Sequence, residues 1–63
     1  MTVYDIVEIL NPDVVLIIFN IDGKRIYSGT RSTYINYAEE DILSAEVQEL
    51  STTYHGAMTA TII

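Results

Sequence analysis

Val3, Ile6, Val7 and Leu10 fall at i, i+3, i+4 and i+7, with Asp5 and Glu8 between them. That spacing gathers apolar side chains on one stripe of a helix and predicts a helix over residues 3–10. Thr2 precedes it as a cap, and Asp5 takes the acid position of a capping box, where its charge also meets the positive end of the helix. Asn11 and Pro12 end the helix.

Residues 14–19 (Val, Val, Leu, Ile, Ile, Phe) follow without a polar break. A β-branched and aromatic run of this kind reads as a central strand covered on both faces. Asp22 and Gly23 offer the positive-φ pair of a two-residue type I′ turn, so residues 24–28 are expected to return antiparallel, ending at Gly29. Between residues 30 and 45 the pattern weakens. Ser32 or Thr33 can cap a helix, and Ile35, Ala38 and Ile42 form a partial stripe, which predicts one short helix over residues 37–43 after an irregular stretch. Residues 46–54 and 57–63 read as strands joined at His55 and Gly56.

The order helix, strand, strand, short helix, strand, strand predicts a single α+β domain over residues 1–63, with a four-stranded antiparallel sheet and helices on one face. The first strand is apolar on both sides: Val15, Ile17 and Phe19 on one, Val14, Leu16 and Ile18 on the other. A second apolar face left in water exceeds the patch usual for a soluble monomer, so a homodimer or higher homo-oligomer is expected. Face-to-face sheet packing is the first mode, and edge pairing through residues 57–63 the second.

Length sharpens the same expectation. A chain of 63 residues buries only ~60% of its unfolded surface, and without cysteine it has no disulfide, thiolate or sulfur ligand to staple it. Its hydrophobic fraction of 49% is that of a folded domain. The absence of thiols fits the cytoplasm. The apolar run at residues 14–19 falls far short of the ~20 residues that span a bilayer, and no basic segment precedes it, so neither a membrane span nor a signal peptide is expected. A net charge of −6 repels duplex phosphates and argues against general nucleic-acid binding.

Catalytic chemistry finds little footing. His55 is the single histidine and stands at an expected turn, where a solvated polar residue is the ordinary reading, without an oriented partner. No serine lies in a nucleophile elbow. Glu39, Glu40 and Asp41 are consecutive, and consecutive helical residues point ~100° apart, so they cannot converge on one ion. Asn20, Asp22 and Gly23 resemble the middle of a calcium loop, but Ile18 occupies the place of its first acidic ligand. No enzyme activity, metal or cofactor is expected.

Two surfaces remain. Glu39, Glu40, Asp41, Glu46 and Glu49 concentrate negative charge that can steer a basic protein partner or simply keep the chain soluble. Lys24, Arg25 and Arg31 are the only cations, and with Tyr27 and Tyr34 they can hold a phosphate and stack a base, or can solubilise a hairpin.

The helix stopped by Asn11, Pro12 and Asp13, the hairpin at Asp22 and Gly23 followed by Tyr27, Ser28 and Gly29, and Ile42, Leu43, Glu46 and Val47 ending at Leu50 together resemble small acidic proteins encoded by phages and prophages of Gram-positive gut bacteria. The resemblance implies phage origin and a compact α+β fold, and it transfers no catalytic residue, cofactor or substrate. Small phage proteins of this kind act by binding, so three functions stay open. The first is a non-enzymatic interaction protein that binds and inhibits a host protein, such as a defence effector, through the acidic residues. The second is a binder that sequesters a nucleotide signal at Arg25, Arg31 and the tyrosines, and the third is a structural accessory.

Overall fold

Thr2 and Asp5 close on each other as their spacing predicts. The Thr2 N–H donates to Asp5 Oδ2 at 2.9 Å and the Asp5 N–H donates to Thr2 Oγ1 at 3.3 Å, so the shorter acid still completes the box. This pair opens helix α1 (Val3–Ile9) in a computed structural model that describes residues 1–53 and 55–63. The chain continues through β1 (Leu16–Phe19), β2 (Arg25–Gly29), α2 (Arg31–Tyr37), α3 (Glu40–Leu43), β3 (Val47–Thr52) and β4 (Met58–Ile62). The expected end of the third strand at Tyr54 lies outside the described residues.

The first hairpin does not turn by type I′. That turn needs positive φ at both central residues, and among the described residues only Gly23 (φ 82°) and Gly56 (φ 79°) have it. Asn20 organises a longer loop: its carbonyl accepts from Gly23 N–H at 3.0 Å, and its own N–H donates to the Lys24 carbonyl at 2.9 Å. Its side-chain Oδ1 accepts from the N–H groups of Asp22 and Lys24. A bend closed by a left-handed glycine is the three-residue hairpin. Further along the ladder a bulge with Ile26 as its extra residue shifts the register between Ile18 and Phe19, so that Arg25 and Ile26 together stand opposite Phe19. Thr53 plays the same part before β4: Gly56 N–H donates to its carbonyl, and the N–H groups of His55 and Ala57 donate to its hydroxyl.

The sheet is mixed, in the order β2-β1-β4-β3. Each hairpin is antiparallel, but β1 pairs with β4 in parallel, Leu16 opposite Met58 and Phe19 opposite Thr61. The expectation of four antiparallel strands is corrected here, and the physical reason lies in the connection. Residues 30–46 carry the chain from one edge strand to the other, and a helical crossover of a dozen or more residues permits a parallel return. The two most apolar strands then take the centre, while the more polar β2 and β3 take the edges. Strand β4 is therefore internal, which removes edge pairing through residues 57–63 as a route to a dimer.

The crossover holds two helices where one was expected. Residues 31–37, read as irregular, form α2, which begins after Thr30 with no side-chain capping bond, so that Ser32 and Thr33 lie inside the helix rather than before it. The later helix is only Glu40–Leu43. The weak stripe hid α2 because its buried anchor is a single residue, Tyr34, at 0% exposure. Leu16, Ile18, Ala60 and Ile62 on one face of the sheet join Val3, Ile6, Val7 and Leu10 of the first helical segment and Tyr34 in one core. The helices thus cover one face only. On the other face Ile17 and Phe19 are half-buried and Val15 is 39% exposed, so β1 is not covered on both sides as its composition predicts.

Candidate functional site

Each helix turns a second stripe away from the core, and the three stripes meet. Tyr4, Val7 and Glu8 stand at i, i+3 and i+4 on α1, Arg31 and Ile35 at i and i+4 on α2, and Glu40 and Leu43 at i and i+3 on α3. Residues at these spacings share one side of a helix. Between them lies a cleft of about 370 Å³, within the range of small-ligand and anchor-residue sites. Val7 is buried at its floor, while Tyr4 (51% exposed) and Ile35 (61% exposed) present apolar surface at its walls.

The polar lining is Glu8, Glu40 and Arg31. None of the three is in an ion pair: among the described residues the only salt bridge joins the Met1 ammonium to Glu46 at 2.9 Å. The cleft therefore offers an apolar floor with two carboxylates and one guanidinium at its rim. Such a lining suits an occupant with an apolar body and a cationic group, the guanidinium fixing orientation by its planar donor fork. A smaller apolar notch of about 170 Å³ lies where Ile6, Ile9 and Leu10 approach Leu50 and Met58.

The five carboxylates singled out in the sequence are all exposed, but they do not form one surface. Glu39 stands at the N-terminal boundary of α3 without a side-chain capping bond, and Glu40 and Asp41 occupy its first turn, Glu40 lining the cleft. Glu46 sits at an isolated bridge to Thr2. Glu49 is opposite Thr61, which is opposite Phe19, and so belongs to the uncovered face of the sheet.

The cations and tyrosines are likewise divided. Lys24 is exposed in the first turn, and Arg25 is opposite Phe19 on the uncovered face. Arg31 lines the cleft on the helical side. Tyr27 packs edge-on against Tyr34 with ring centroids 5.1 Å apart. Tyr34 is wholly buried, its hydroxyl donating to the Leu16 carbonyl at 2.6 Å, so its ring offers no face to a ligand. Burial pushes the Tyr34 hydroxyl pKa well up, and neighbouring Tyr27 adds to the shift.

Sequence reasoning placed Glu40 and Arg31 in different candidate surfaces and passed over Tyr4, Glu8 and Ile35. The available signal was Tyr4 itself, an aromatic residue off the apolar stripe of the first helix with an acid four residues later. No family model, curated protein or solved structure matches the chain.

Proposed function

We propose that the chain is a non-enzymatic interaction protein that binds a basic segment of a partner protein in the cleft between its helices. The observation that carries this reading is Glu40: it belongs to the densest run of carboxylates and also stands at the mouth of a cleft with an apolar floor. Affinity then comes from an apolar side chain buried against Val7 and Leu43, and encounter is hastened by the negative rim. In a phage setting, which the sequence resembles, occupying a basic surface of a host protein in the cytoplasm would inhibit it. Homo-oligomerisation through the uncovered sheet face is compatible with this role, since the cleft lies on the opposite side of the chain and stays open when that face is occupied.

A nucleotide-sequestering site has less support, since Arg25 and Arg31 lie on opposite sides of the sheet and Tyr34 is spent in the core. The test is titration of isotope-labelled protein with a short helical peptide patterned in Lys and Leu, and with the same peptide carrying Glu for Lys. The basic peptide is expected to shift the amide signals around Tyr4, Ile35 and Leu43, and Glu8→Gln with Glu40→Gln should weaken binding and flatten its salt dependence. Equal binding of the acidic peptide, or shifts confined to the sheet, would sink the reading.

A further inference from the structure

On the uncovered face the registers align two rows across the whole sheet. In one, Ser28, Ile17, Thr59 and Ser51 stand in line from edge to edge. In the other, Arg25 on β2 and Glu49 on β3 flank Phe19 and Thr61. Val15, 39% exposed, extends the apolar centre, and Ile26, 42% exposed, is the extra bulge residue beside Arg25 on the edge strand. One edge of an apolar face thus carries a cation, and the other carries a carboxylate in the same row.

Arg25 and Glu49 do not satisfy each other within one chain. Three strand spacings of ~4.8 Å put them ~14 Å apart, with Phe19 and Thr61 between them. Each is exposed, and neither is in an ion pair among the described residues.

We propose that two copies of the chain pack by these faces about a two-fold axis parallel to the strands, with Arg25 of each copy over the partner's Glu49. Such an axis exchanges left and right across the sheet while keeping every row at its own height. It sets β2 over the partner's β3 and β1 over the partner's β4, so Phe19 and Ile17 lie on the methyl groups of the partner's Thr61 and the partner's Thr59. The alternative in-plane axis, across the strands, sets β2 over β2 and β3 over β3 and reverses the row heights, so neither Arg25 nor Glu49 meets an opposite charge. Charge therefore selects one of the two symmetric arrangements. The residual ~30° between packed, twisted sheets displaces the edges by a few ångströms, which the long arginine side chain spans.

The area is small. A face of four strands about five residues long measures roughly 19 by 17 Å, so the pair covers roughly 650 Å² in projection, well below the ~1,200 Å² lower bound of stable complexes. A dissociation constant in the micromolar range is expected, and in so weak a dimer the two edge pairs weigh heavily. The proposal rests on the homo-oligomeric reading and not on the cleft.

The experiment is sedimentation of the full chain from 5 µM to 1 mM, with circular dichroism as a check on folding, for Arg25→Glu, Glu49→Arg and the double exchange. Each single change sets like charges together at both ends of the interface and is expected to weaken the dimer at least tenfold. The double exchange restores opposite charges and is expected to return within about threefold of the parent. Net charge alone acts differently: Arg25→Glu makes the chain more negative and weakens association, whereas Glu49→Arg makes it less negative and strengthens association. Isotope-filtered contacts between the Phe19 ring and the methyl group of the partner's Thr61 provide a readout free of substitutions. A dimer indifferent to all three variants, or lacking those contacts, overturns this packing while leaving homo-oligomerisation standing. A parent chain monomeric at 1 mM overturns both.

Discussion

Tyr34 holds helix to sheet by giving its hydroxyl to the carbonyl of Leu16 at 2.6 Å, a bond made wholly inside the core. Tyr34→Phe keeps the ring against Tyr27 but deletes this buried hydrogen bond, at a cost of about 1 kcal/mol. A domain this small has a core worth only ~3–5 kcal/mol in net stability, so the loss should be plain in urea unfolding.

The same hydroxyl makes the protein alkali-sensitive. Burial raises its pKa in the folded state, whereas in the unfolded chain a tyrosine ionises near pH ~10. Its contribution is therefore complete below about pH 10 and is lost as pH climbs toward the folded-state value. The melting temperature of the parent should fall between pH 9 and pH 11 more steeply than that of Tyr34→Phe; parallel curves would mean that another group governs alkaline unfolding.

Gly23 and Gly56 have left-handed backbones and open space where a side chain would be placed. The penalty for replacing either is conformational and local, so Gly23→Val should cost about 1–2 kcal/mol. Gly23→Asn should cost distinctly less, because asparagine tolerates this region. Thermal melts of the two variants compare the costs, and a valine variant as stable as the parent would show that the turn can adopt another form.

Gly29 answers to a different constraint. A Cβ there would lie 2.7 Å from both the Cβ and Cγ2 of Thr33 in α2, so helix and strand must separate. Gly29→Ala should destabilise by about 1–3 kcal/mol through overpacking. Thr33→Ala should not rescue it, since the Cβ of residue 33 remains; chemical denaturation of the single and double variants decides.

The candidate cleft was only partly legible from the chain. Glu40 and Arg31 drew attention as charges, yet nothing in a linear pattern says that α1, α2 and α3 turn their outer stripes toward one another. Glu46 and Glu49 are near Glu40 in sequence but are carried elsewhere once the chain enters β3, where alternate residues face opposite sides. Tyr34 misled for the opposite reason: an aromatic residue beside arginines suits ligand stacking, and only packing shows its ring and hydroxyl already used.

The sequence by itself determined the local elements whose causes are local: the Thr2 and Asp5 box, the apolar stripe of α1, the stop at Asn11 and Pro12, and strands punctuated by Gly23 and Gly56. The turn type is local as well, though it is carried by Asn20 rather than by the Asp22 and Gly23 pair: the Asn20 side chain captures the N–H groups of Asp22 and Lys24 and so favours a three-residue loop over the type I′ pair. The tertiary structure decided that residues 31–37 are helical, since one buried tyrosine bonded to a distant carbonyl outweighs a weak stripe. Finally, it decided that β4 runs parallel to β1 and inside the sheet. Strand neighbours are chosen by which apolar edges can be brought together after the crossover, and that competition involves residues far apart in the chain.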